Sequence, residues 1–309
     1  MLVNVSAITS LIWPLTMLAI TGIGTGLTFS LNRIATTEGI PFIPYVFWSC
    51  LLSGVLLVGL CVYRRAYPSL RFEHLRTYLI IGVLGMALPV TILAFVAPNI
   101  PASVVALGMT LSPMMTYLLA LALSMERFKW FGVGGIMLGL LGVLLIIVPE
   151  TSLPDPDMAL WVAISLLAPL CFALCAICAA KFRPSSARSV AVSAGVQLIA
   201  AIFLVPVMIV ADSWWFVDSE FGNGEWALVA VSVFYAIFWL CFFEIVRLAG
   251  PVFFSISNYI ATISGVVWGL VIFGEALSPW IWAALALMLS GLYLLSTRDS
   301  LEGGSGLRS

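Results

Sequence analysis

Glu244 is the one acidic side chain set well inside an apolar run, residues 226–248. A carboxylate in hydrocarbon is costly unless it is paired or faces a wet cavity. Arg247 follows three residues later on the same helix face and is a ready partner. Two chemistries stay open: a snorkelling ion pair about 6 Å from the helix end, or a site for a proton or a substrate amine. Tyr235 and Trp239 share this run, and Thr25, Thr91, Thr110, Asn258 and Tyr259 fall near the middle of other apolar runs. Tyr and Trp offer an apolar face with one polar handle, and Asn258 offers two donors and an acceptor. Together they suit a small substrate held by ring contacts and a few hydrogen bonds. The alternative for each is an ordinary interhelical hydrogen bond, of about 0.6 kcal/mol.

No other chemistry is legible. Cys171, Cys175 and Cys178 share one helix face, but the cysteines lack the paired spacing or histidine partners of a metal site. The only histidine, His74, lies in a polar stretch. Gly22-x-Gly24-x-Gly26 has no preceding strand and sits in an apolar run, so it is no nucleotide loop. With no buried histidine, aspartate pair or metal constellation, an intramembrane enzyme has nothing to work with. No metal, cofactor or nucleic-acid partner is expected. A non-transporting scaffold or sensor remains the main alternative to a carrier.

The elements that hold these residues follow from composition. Hydrophobic residues make up 62% of the 309 and charged ones 9%, against about 25% charged in soluble domains. The mean hydropathy is +1.16. Runs of about 20 apolar residues, the length that crosses a bilayer, occupy 10–33, 42–63, 77–97, 102–123, 130–148, 158–180, 190–210, 226–248, 252–273 and 280–296. If the N-terminus is cytoplasmic, 12 of the 13 basic residues fall on the inner side and only Arg33 on the outer. That asymmetry fits ten spans with both termini inside. No cleavable leader is expected, since the N-terminus lacks a basic segment. Residues 301–309 form a Gly/Ser tail, read as an artificial appendage.

A shift of 149 residues superimposes the halves. Glu126 falls on Glu275, Gly142 on Gly291, and Pro101 on Gly250 beside Pro251. Glu126 and Glu275 are expected to bond backbone N–H groups at helix–loop junctions. Gly142 and Gly291 belong to small-residue faces, and that of the fifth span, with Gly135 and Gly139, is also a potential self-association surface. Five spans per half is odd, so the second half is inverted, a transporter signature. The expected fold is an all-α polytopic membrane protein, with repeats at 1–149 and 150–300. Gly22, Gly24 and Gly26, and Pro169 at the matching place, read as points where helices loosen.

These features resemble the drug/metabolite transporter superfamily, of the EamA-like type, over about residues 11–297. The resemblance is carried by Ser112-Pro113, Met125-Glu126, Gly139-Leu-Leu-Gly142, Gly250-Pro251, Gly274-Glu275-Ala-Leu-Ser278 and Gly291, with Asn32 near the end of the first span. The first span departs from the family, with Ile23-Gly24 or Thr25-Gly26 where a Trp-Gly pair is usual. The resemblance implies ten helices, alternating access and export of small metabolites such as amino acids across a cell inner or plasma membrane, by a monomer or weak homodimer, with proton coupling left open. Basic side chains lie at or beyond the helix ends, which argues against an anionic substrate. Arg33 is expected to matter little to transport.

Overall fold

The computed structural model describes residues 5–125, 128, 130–149, 151–153, 155, 157–182, 188–216 and 221–303. Every regular element among them is helical. Among the described residues, seven helices are long and apolar enough to cross a membrane: α1 (Trp13–Thr37), α2 (Phe42–Arg64), α3 (Phe72–Val96), α4 (Ala102–Ala122), α6 (Met158–Ala179), α7 (Ser189–Val210) and α8 (Asn223–Val246). Three shorter apolar helices are α5 (Gly132–Ile147), α9 (Ser257–Phe273) and α10 (Pro279–Leu295). All ten coincide with the apolar runs of the sequence.

Helical geometry is continuous from Asn223 to Phe273, although Gly250-Pro251 suggests a break. The packing nevertheless separates α8 from α9. The rings of Phe242 and Phe254 lie 4.7 Å apart, where twelve residues of straight helix would separate them by about 18 Å. The chain therefore reverses between them. Both arms lie against α1, with Gly24 facing Phe234 and Gly22 facing Ile260.

Three spans are interrupted just before a proline. A π turn occupies Val83–Ala87 ahead of Pro89, a turn at Met109–Thr110 divides α4 ahead of Pro113, and another at Leu166 divides α6 ahead of Pro169. A proline has no N–H for the carbonyl four residues back and its ring crowds that carbonyl, so the preceding turn relaxes. Pro169 thus does interrupt its helix. The glycines of α1 do not, since that helix is unbroken from Val5 to Thr37. They permit close contact instead: a Cβ on Gly22 would stand 2.5 Å from Ile260 Cβ, and one on Gly26 2.5 Å from the Gly265 nitrogen.

Helices at matching places in the two halves meet and run antiparallel. In α5 and α10, a Cβ on Gly135 would lie 2.7 Å from the Gly291 carbonyl oxygen, and one on Gly142 3.3 Å from that of Ala284. Adding 149 to 135 and 142 gives 284 and 291, so each contact is the other with partners exchanged. Met288 fills the space above Gly142, and Met114 that above Gly139. The glycine face of α5 is thus occupied within the chain and is not open for self-association. α2 and α7 also pack antiparallel: Ser53 meets Gln197, while Leu57 and Cys61 cluster with Val190 and Ala194.

Candidate functional site

Two large apolar clusters dominate the interior. One holds Tyr45, Cys50, Met86, Cys175, Tyr235, Trp239 and Phe243; the other gathers α4, α5 and α10 with the start of α6 and takes in Tyr259 at its edge. The proposed site residues are therefore not all brought together. Tyr235 and Trp239, one turn apart on α8, are 7% and 4% exposed and face the first cluster. The Tyr45 hydroxyl donates to Asn32 Oδ1 at 2.8 Å, both groups being buried. Tyr235 lies near the same Asn32 side chain and near Cys50. Three helices, α1, α2 and α8, thus converge on one carboxamide.

Trp239 lies one turn deeper. Its ring meets Phe238, Phe242 and Phe243 at centroid distances of 5.5–5.6 Å. A Cβ on Gly85, inside the π turn of α3, would stand 3.3 Å from the indole and 2.9 Å from Cys175 Sγ. The indole Nε1 is buried without a hydrogen-bond partner. Such a group calls for an explanation, because buried polar atoms are almost always bonded.

The threonines mostly serve their own helices. Thr25 donates to the Thr21 carbonyl at 2.7 Å, Thr91 to that of Ala87 at 2.6 Å, and Thr110 to that of Leu107 at 2.7 Å. Thr110 is fully buried at the turn before Pro113. Asn258 and Tyr259 are half-buried on α9, and the Asn258 carbonyl accepts from Thr262.

Sequence reasoning missed three polar features. On α1, Thr21, Thr25, Thr28 and Asn32 recur at i, i+4, i+7 and i+11, a single helix face; all but Thr25 are buried. That spacing was available as a signal. Tyr45 stands near a span end and reads as an interfacial aromatic, so its link to Asn32 was not. Gln197, fully buried on α7, donates to Ser53 Oγ at 2.6 Å while its Oε1 has no partner. A glutamine in an apolar run is costly enough to have been a candidate.

Glu275 occupies a helix start. Glu275 Oε1 pairs with Arg33 at 2.7 Å and accepts from the Ala102 N–H at 2.8 Å. Its Oε2 accepts from the Ser103 N–H at 3.2 Å and from the Ser103 hydroxyl. Glu275 therefore caps α4 from across the protein, where the helix dipole favours a negative charge. The Arg33 guanidinium also sits 4.5 Å over the Phe273 ring. Glu126 lies outside the described residues. Glu244 is half-buried against α7, where the Ser189 hydroxyl lies 3.4 Å from its Oε2; the side chain of Arg247 is outside the described residues. Among the described residues no cluster of His, Cys, Asp and Glu could hold a metal ion.

An all-helical chain with many apolar spans, assembled from two like halves around a buried polar and aromatic interior, defines a polytopic membrane protein of the transporter class. The EamA-like transporter family model matches it twice, over residues 12–148 and 159–297, and the chain belongs to that family. A solved crystal structure of a protein resembles it over 92% of this chain and 98% of its own, at 18% identity and a TM-score of 0.59, which shows a shared fold. No curated protein matches the chain.

Proposed function

We propose that this protein is a secondary transporter, in the exporting direction, for a small neutral or zwitterionic metabolite such as an amino acid, working by alternating access. The observation that carries the reading is the exchanged pair of contacts Gly135–Gly291 and Gly142–Ala284 between antiparallel α5 and α10. Inverted repeats give a carrier two states of equal construction, one open to each side. We read the apolar helices as ten crossings, and the charge asymmetry supports both termini in the cytoplasm of a cell whose inner or plasma membrane holds the protein.

The proposed substrate class is supported by what faces the interior. Asn32, Tyr45, Tyr235 and Trp239 provide rings and neutral hydrogen-bonding groups. Arg33 is committed to Glu275, and Arg64, Arg65, Arg71, Arg76, Lys181 and Arg188 are exposed. A desolvated phosphate would need cations at the site. Glu244 remains the candidate for proton coupling or amine binding, and Thr25, Thr91, Asn258 and Tyr259 stay as candidate lining of the pathway. A thermal-shift screen of the purified protein against a metabolite panel tests the reading: stabilisation by neutral amino acids or similar zwitterions supports it, and stabilisation by phosphorylated compounds alone contradicts it.

A further inference from the structure

We infer that the indole N–H of Trp239 receives the carboxylate of the substrate, which sets substrates that carry a carboxylate apart from the amines that lack this group. The inference rests on the transport reading above and adds a named contact to it. Its basis is a donor that is buried, fixed and unused. Trp239 is 4% exposed and its Nε1 has no partner, although a buried indole N–H ordinarily finds an acceptor. The ring is held in place. Phe238 and Phe242 meet it edge-on, at 87° and 83°, and Phe243 lies across it at 31°. Gly85 approaches its Cη2 edge so closely that a methyl group there would stand 3.3 Å away.

The surroundings favour an anionic oxygen that arrives with its own compensating charge. A π turn such as the one carrying Gly85 marks functional positions in many helices; here it brings a backbone with no side chain against the indole. Tyr235 lies one turn away on the same face of α8, beside Asn32 and Tyr45, and supplies neutral polar groups for the rest of a zwitterion. With Arg33 held by Glu275, it does not compete for the carboxylate. A hydrogen bond from a fixed neutral donor to a charged oxygen is roughly twice as strong as one between neutral groups.

The test compares wild type with Trp239→Phe, which keeps an aromatic ring and removes the N–H. The probes are radiolabelled neutral L-amino acids, each with the amine obtained by removing its carboxylate. Binding of the amino acids is expected to weaken about 10- to 100-fold in Trp239→Phe, the change a charge-assisted hydrogen bond carries, while binding of the matched amines changes less than about twofold. If amino acids and amines weaken equally, or neither weakens, the N–H has no such role, although the transport reading stands. If wild type binds no member of the panel, both readings fall. Should Trp239→Phe not fold, Gly85→Ala is read on the same panel. Its methyl group presses on Cys175 Sγ, at 2.9 Å, and on the indole, at 3.3 Å, so amino-acid binding is expected to fall relative to amine binding; an unchanged ratio overturns the inference.

Discussion

Glu275 shows how one side chain can join distant parts of a membrane protein. Its carboxylate receives the Arg33 guanidinium and three donors at the start of α4, while only 7% of the side chain is exposed. Removing one member of a buried pair typically costs about 3–5 kcal/mol, but the two partners are not equivalent here. Arg33→Ala leaves the carboxylate with the α4 donors, and Arg33 itself is 25% exposed. Glu275→Ala strips the helix start of its cap as well. Thermal unfolding in detergent is therefore expected to show a clearly larger loss for Glu275→Ala than for Arg33→Ala; equal losses would contradict the cap. Glu244 allows a sharper distinction. If it serves structure through Ser189 and its neighbours, Glu244→Gln lowers protein yield. If it carries protons, the same change spares folding and abolishes the pH dependence of transport. Unchanged yield, flux and pH profile would remove both roles.

At the scale of helices, small residues decide which surfaces meet. Gly142 accommodates Met288, whose Cγ would stand 2.6 Å from a Cβ at that position. Gly142→Leu is expected to lower the melting temperature, and Met288→Ala in the same chain to restore part of the loss. Strictly additive losses would contradict the packing, because residues in contact are coupled. The helices themselves were legible in the sequence. Lipid requires long apolar runs with their backbone bonded internally, and all ten apolar helices lie within or across the runs expected. The role of the α1 glycines was not legible, because a glycine that loosens a helix and one that admits a neighbour leave the same mark. Only the facing Ile260 and Gly265 distinguish them. The partners of Glu275 were hidden for another reason: Ser103 and Arg33 stand 172 and 242 residues away in the chain, so a repeat could flag the acid without naming what it bonds. Tyr235 and Trp239 stand out in the sequence because aromatic groups with polar handles are conspicuous in an apolar run. The link from Asn32 to Tyr45 depends on how α1 and α2 pack.

Across the whole molecule, one end carries a series of bonds between the two halves. Arg33 pairs with Glu275, Asn223 donates to Glu38 at 3.3 Å, and Trp48 to the Trp215 carbonyl at 3.0 Å; at the same end but within the second half, Ser278 donates to the Ser152 carbonyl at 2.9 Å and Trp280 to Thr151 at 3.2 Å. In the proposed orientation this end faces the outer side. A reporter active only outside the cytoplasm is then expected to be silent when fused after Ser296 and active when placed before Asn223; the reverse pattern would overturn the orientation. In an alternating-access cycle, part of this series must break when the outer side opens, while the antiparallel crossing of α5 and α10 persists as scaffold. The central claim, that a small zwitterion crosses by way of the interior lined by Trp239 and Tyr235, is tested most directly by counterflow in proteoliposomes. Vesicles loaded with an unlabelled neutral amino acid are expected to accumulate the labelled form transiently. Trp239→Ala is expected to reduce this about tenfold or more, by removing ring contacts and the N–H together, and Arg33→Ala to change it little. Absence of counterflow for every neutral amino acid, or counterflow of a phosphorylated compound that is lost on replacing Arg33 or Lys181, would contradict the account.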